Sequence, residues 1–296
     1  MVETVPITSM GSMAIPQIDH VVLLLPYKDL MRPPPWIARN FIVTPGGRSK
    51  DGQIENRLIM FEDGSYIELI AFINDSTYLR NDHPYGTKHH GLIDFALTTP
   101  GTLDYTSLHR RITRCNSRIR INYSVPVERG RKNPGGAEIR YTITAPEPSI
   151  TTQHNSHGQI PLWCHDLTPR DRRVPLTMDN TDHPCGAIGI AQLTLRVHAS
   201  SKADYTDLYS AIMGTTPVWR LGNAMLPLDT PETLPDVPRP WLVVEGPQNG
   251  EDEVELSRRG VGISEIFLRV GRKGERGPAR ESIREEGVMI HFSYLP

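Results

Sequence analysis

Short apolar runs bounded by Pro or Gly recur along this chain, and each reads as a buried strand. The first covers residues 18–26 and holds His20; another covers 66–72 and holds Glu68. Between them, the prolines before Trp36 predict a short helix over 34–41, because Pro is tolerated in a first helical turn. Residues 44–48 (Thr-Pro-Gly-Gly-Arg) read as a turn, 56–61 as a strand, and Asp63-Gly64 as a hairpin turn. The order is strand, helix, strands, and it recurs. Residues 91–99 form an apolar strand with one acid, Asp94. Leu103, Leu108 and Ile112 predict a helix over 103–114. Residues 138–145 alternate, with Ile139, Tyr141 and Ile143 on one face. A closing strand covers 159–166, followed by a polar loop over 168–173. A third pass has a strand at 189–197, a helix at 203–213, a Pro-rich loop at 226–240, and strands at 241–245, 264–270 and 288–294.

A repeat of roughly 75 to 100 residues is too long for a solenoid. A curved sheet of this size cannot cover both its faces alone, so two units packed edge to edge would enclose a concave half-barrel. The predicted fold class is therefore α+β, with repeated βαβββ modules in curved half-barrel sheets and flanking helices. The expected division is a flexible tail over 1–15, paired modules over 16–185 and a third, divergent module over 186–296.

Composition narrows the function. With 38% hydrophobic and 22% charged residues, the chain fits a folded globular protein. A net charge of −2 points to neither nucleic acid nor an anionic membrane surface. No apolar run approaches the roughly 18 residues of a membrane-spanning helix, and no signal peptide is read at the N-terminus. Cys115, Cys164 and Cys185 make neither a disulfide framework nor a metal knuckle, so a reducing cytoplasm is expected.

An ionisable side chain inside an apolar strand is costly without a partner. His20 and Glu68, in one short unit, are read as sharing one. His165 beside Asp166 is a second candidate pair. Arg170, Arg172 and Arg173 form a basic run, read as a solvated face or, through Arg170, an anion-binding group. Cys164 has no base placed to activate it.

Residues 18–22 (Ile-Asp-His-Val-Val), the Pro45-Gly-Gly-Arg48 turn, Asn56-Arg-Leu and the 64–72 segment resemble the glyoxalase-like branch of the vicinal oxygen chelate superfamily. The segments Trp163-Cys-His-Asp166 and His183-Pro-Cys-Gly186 look like a subgroup common in filamentous fungi. The resemblance spans residues 16–200. It implies paired βαβββ modules and a divalent ion (Zn, Fe, Mn or Ni) held by one ligand from the first and one from the fourth strand of each module. His20, Glu68 and Asp94 match three such positions. Aligning Ile160-Pro-Leu with Ile67-Glu-Leu puts Pro161 at the fourth, where it cannot ligate, and leaves His165 to serve from further along the strand. Arg48 and Asn56 would line the opening and hold substrate.

The resemblance thus implies a lyase or isomerase acting on a small oxygenated metabolite through a metal-bound enolate, with Glu68, His165 and Asp166 moving protons. Alternatives are a metal-free acid–base or cyclisation enzyme of specialised metabolism, a ring-cleaving dioxygenase, and a non-catalytic small-molecule binder. The expected partner is a small-molecule substrate, with the chain a monomer or homodimer.

Overall fold

In the computed structural model, which describes residues 14–49, 51–76, 80, 83–132, 135–147, 157–271 and 281–295, the chain builds two large sheets. The first unit runs β1 (Gln17–Leu24), α1 (Tyr27–Met31), α2 (Pro35–Ala38), β2 (Thr44–Arg48), β3 (Ile54–Met60) and β4 (Tyr66–Phe72). The second runs β5 (Gly91–Thr98), α3 (Tyr105–Arg114), β6 (Asn122–Tyr123), β7 (Val127–Lys132), β8 (Glu138–Thr144), β9 (Pro146–Glu147) and β10 (Leu162–Asp166). Together they form an eight-stranded sheet of order β2-β3-β4-β1-β5-β10-β8-β7, while β6 and β9 pair separately. Within it, β1 runs parallel to β4 and antiparallel to β5. The two units thus meet edge to edge at β1–β5, two strands that are buried on both faces.

After α4 (Met178–Thr181) the pattern returns as β11 (Ala187–Arg196), α5 (Lys202–Met213), β12 (Val218–Arg220), β13 (Asn223–Pro227) and β14 (Trp241–Glu245). Then come α6 (Gly250–Arg259), β15 (Gly262–Val270), β16 (Ser282–Glu285) and β17 (Val288–Tyr294). This second sheet has the order β12-β13-β14-β11-β15-β17-β16. The segment expected as one divergent module, 186–296, therefore contains two units, joined at β11–β15 as the first two are at β1–β5. Residues 1–13 of the expected tail lie outside the described residues.

Alternation decides which face of each strand meets the shared core. Ile18, Val21 and Leu23 of β1 and Phe95 and Leu97 of β5 join Leu193, Leu195, Ile266 and Leu268 of the second sheet in one cluster. Helices α3 and α5 cover its flank with Leu108, Ile112, Leu208, Tyr209 and Ile212. Asp104 caps α3 by accepting from the Ser107 amide, and α5 ends at Gly214 in the left-handed region. Where the sheets touch, Gly91 has φ +117° and its Cα faces the Gly287 carbonyl; a Cβ there would stand 2.2 Å from that oxygen. No helix among the described residues is long and apolar enough to cross a membrane.

Two local expectations are corrected. Residues 44–48, read as a turn, form the edge strand β2, paired with β3 through Thr44–Leu58 and Pro45–Arg57; an edge strand tolerates Pro because one row of its amides needs no ladder partner. Residues 168–173, read as a polar solvated loop, include a single 3-10 turn, Arg170–Arg172, that carries Arg173 back inside, where it is 5% exposed.

Candidate active site

The first sheet curls until its two edges meet: an Arg131 guanidinium N–H of β7 donates to the Gly46 carbonyl of β2 at 3.4 Å. The concave face encloses a cavity of about 450 Å³. Its wall includes His20 of β1, Tyr66 and Glu68 of β4, Asn56 of β3, Cys164 of β10, and Arg129 and Arg131 of β7.

His20 is fixed from behind. The register of β1 against β5 slips between Ile18 and His20, a β-bulge. Neighbours on a regular strand face opposite sides, and a bulge breaks that rule. Asp19 and His20 therefore meet, with Nδ1 2.6 Å from Asp19 Oδ1. Asp19 is fully buried. Burial alone would raise its carboxyl, but the Arg173 and Arg170 guanidiniums outweigh it and hold Asp19 well below the usual carboxylate range. An ionised Asp19 can only accept, so the His20 proton sits on Nδ1 and Nε2 faces the cavity. Nε2 lies 3.5 Å from Glu68 Oε2. Glu68 Oε1 accepts from Asn56 Nδ2 at 2.5 Å, and Asn56 Oδ1 in turn accepts from the Gly47 amide at 2.6 Å. The Tyr66 ring stacks on His20, with centroids 4.7 Å apart.

Arg173 spends every N–H it has: Nε on Asp166, Nη1 on Asp19 and Tyr66 Oη, Nη2 on Asp19 and Asp166. It holds no donor in reserve for a ligand. The Tyr66 hydroxyl oxygen accepts from it, which leaves the phenolic O–H free to donate. Burial pushes the Tyr66 hydroxyl well above its usual pKa, so that proton stays in place.

Apart from Asn56, the other sequence candidates lie outside the cavity wall. His165 shares a face with Trp163, on which it stacks, and this is the face turned away from the cavity. It is 5% exposed, hydrogen-bonds Thr99 Oγ1 at 2.9 Å, and burial lowers its pKa. The cavity side of β10 carries Leu162 and Cys164 instead. Asp166 and Arg170 belong to the buried ionic network: Arg170 donates to Asp19, Asp166 and the Gly64 carbonyl. Asp94 is fully buried behind Tyr85, whose hydroxyl donates to it at 2.8 Å, and it also accepts from the Phe95 amide. Asn56 lines the cavity, with its amide committed to Glu68 and Gly47. Arg48, largely exposed, pairs with Glu55 in the groove outside. Strand pairing also revises the fourth ligand position. His20 pairs with Tyr66 and Ala96, Val22 with Glu68 and Asp94, and Ala96 with Leu162. The pseudo-twofold between units thus relates His20 to Asp94 and Glu68 to Leu162, not to Pro161.

These residues do not fit a three-ligand metal centre. His165 faces away, Asp94 is sealed behind Tyr85, and a leucine holds the fourth place. Among the described residues no three His, Cys, Asp or Glu side chains gather closely enough to hold an ion. The loop spacing His154…His157 could also suit a metal, and His154 lies outside the described residues. Cys164 reaches the cavity, but burial pushes its thiol far above the usual range, so it is an inert wall.

Sequence reasoning missed Asp19, Tyr66 and the β7 arginines, and it read Arg173 as part of a solvated run. Asp19 left a signal: two adjacent ionisable residues in an apolar strand break the alternation, as a bulge does. Arg129-Gly-Arg131 left a fainter one, two cations at a strand period of two.

The sequence model of the Glyoxalase-like domain family matches residues 18–210, and the chain belongs to this family, within the vicinal oxygen chelate superfamily. No curated protein matches it. Among solved structures, a hypothetical protein from Staphylococcus aureus shares 10% identity over 95% of this chain and 100% of that one, with a TM-score of 0.66. The Mn(II)-bound glyoxalase from Novosphingobium aromaticivorans shares 10% identity over 96% and 83%, TM-score 0.48. A mutant 4-hydroxymandelate synthase from Streptomyces coelicolor shares 10% over 88% and 72%, TM-score 0.46. At 10% identity, the Staphylococcus likeness speaks to the fold and not to the chemistry.

Proposed function

We propose that the protein is a lyase or isomerase that moves a proton on a small oxygenated metabolite, with His20 and Glu68 as its acid–base pair and no resident metal. The observation that carries this reading is the line Asp19–His20–Glu68: a buried, ionised acid fixes the imidazole tautomer and turns Nε2 into a cavity beside a carboxylate. Glu68 or His20 removes a proton from a carbon next to a carbonyl. The Tyr66 O–H, polarised by Arg173, donates to the enolate oxygen that forms. The pair then returns the proton at another position, or to a leaving group. General acid–base catalysis of this kind is worth on the order of 10² to 10⁴ in rate.

The test combines metal analysis with substitution. Protein purified without a His-tag is measured by mass spectrometry for bound metals, and a panel of 2-oxo and 2-hydroxy acids is followed by NMR in D2O for exchange or turnover. Activity that survives chelator and falls at least about 100-fold in both His20→Asn and Glu68→Gln supports the reading. About one metal per chain, lost in both variants together with activity, would sink it. Tight ligand binding with no exchange or turnover across the panel would make the cavity a binding site instead.

A further inference from the structure

We infer that Arg129 and Arg131 make this cavity selective for a ligand bearing a carboxylate, held at the β7 wall so that its neighbouring carbon faces His20 and Glu68. Which end reacts rests on the acid–base reading; the carboxylate preference does not.

The cavity is chemically two-sided. Its β1–β4 wall carries His20 and Glu68. Its β7 wall presents Arg129 and Arg131. Gly130 stands between them, so the two arginines share a face, with Cα atoms about 6.5 Å apart at the strand rise. Their side chains are long enough to converge on one anion. The ion pair of this hairpin among the described residues is Arg140 with Glu128, on the neighbouring positions. Arg131 reaches the Gly46 carbonyl with Nη1 alone, which leaves most of its fork uncommitted, and Arg129 is exposed at the rim. Arg173, by contrast, is saturated by Asp19, Asp166 and Tyr66 and cannot bind a substrate.

A guanidinium fork matches a planar carboxylate through two parallel N–H···O bonds. The remaining wall includes Leu58, Ile143 and Leu162, which suits an apolar body behind the charged end. Glu68 repels an anion near the acid–base pair, so the charged end is directed to β7. A carboxylated substrate would enter with its orientation set before any proton moves.

The test is calorimetry at low ionic strength with benzoate, benzamide, phenyl phosphate and phenol. Benzoate is expected to bind at least about tenfold more tightly than benzamide, with the preference shrinking as salt rises. Arg129→Gln and Arg131→Gln are each expected to erase most of that preference. Arg129 is exposed, so its variant keeps the fold, and an unchanged thermal melt checks this. His20→Asn is expected to keep the benzoate preference while losing turnover, which separates failure of this inference from failure of the acid–base reading. Equal binding of benzoate and benzamide, absence of benzoate binding, or a preference retained in both arginine variants would overturn it. Phenyl phosphate bound more tightly than benzoate would overturn the carboxylate assignment in favour of a phosphate ester.

Discussion

In the first sheet a paired row crosses four strands as Tyr66, His20, Ala96 and Leu162. The corresponding row of the second sheet is Trp241, Gln192, Phe267 and His291. Each sheet keeps one histidine in this row. Each histidine stacks on an aromatic ring of the adjoining strand, His20 on Tyr66 at 4.7 Å and His291 on Phe267 at 4.4 Å. Each faces a glutamate, Glu68 at 3.5 Å and Glu265 at 3.3 Å. The pairs occupy opposite halves of their sheets, so the two arrangements are not copies.

What surrounds the pairs separates them. Glu265 is already paired with Arg196, which also engages Glu245 and Asp252. His291 and then Arg196 hold its carboxyl below the usual range. In the first sheet the arginines bind Asp19, behind the histidine, and leave Glu68 facing the cavity with Asn56 and His20 upon it among the described residues. There the edges also close through Arg131 and Gly46, whereas Val218 and Trp219 of β12, an edge of the second sheet, are exposed. A His–Glu pair is open to a ligand where its carboxylate is left unneutralised and the sheet encloses it.

The contrast breaks most directly at the histidines. His20→Asn is expected to lower turnover by about 10² to 10⁴, while His291→Asn leaves initial rates within about twofold. Equal losses would mean that the second sheet takes part. Next in size is the effect of removing the arginines. Arg173→Met removes its five hydrogen bonds to the fully buried Asp19, to Asp166 and to Tyr66, leaving Arg170 as the arginine on both carboxylates, and should cost about 3–5 kcal/mol in urea unfolding. Arg196→Met should cost less, about 1–3 kcal/mol, because none of its carboxylate partners is sealed from water as Asp19 is, and water can take over some of their solvation. A reversed order would place the tighter network in the second sheet.

A comparable effect is expected at His183, in the segment between the two sheets. His183 accepts from the Ile42 amide and donates to the Met60 carbonyl, and burial lowers its pKa to about 4. The folded state binds the proton less tightly than the unfolded chain does. The contribution of a neutral His183 is therefore complete above about pH 6.5 and is lost as pH falls toward 4, on the order of 3 kcal/mol. The stability gap between wild type and His183→Gln should shrink across that window in urea titrations. A gap that is constant with pH would show that His183 does not titrate there.

Periodicity and turn chemistry made most of the sheet legible, because β1, β4, β5 and β11 are apolar runs bounded by Pro, Gly or Asp-Gly. β7 was not legible: one of its faces meets solvent and the other a polar cavity, so Val127–Lys132 shows no apolar alternation. Residues 168–173 look solvated because a charged loop and a buried ionic network have the same composition.

The chain by itself determined the strand–helix–strand units and the pairing of His20 with Glu68, since both are ionisable groups placed inside apolar strands of one unit. Only the tertiary structure decided which face of β10 meets the cavity, that Asp19 backs the His20 imidazole, and that Arg173 is fully committed while Arg129 and Arg131 line the cavity. Those outcomes depend on strand register, on one bulge and on ion pairs between residues some 150 positions apart, as in Asp19–Arg173. A shift of one residue in register turns a side chain to the opposite face, and local sequence carries no record of it.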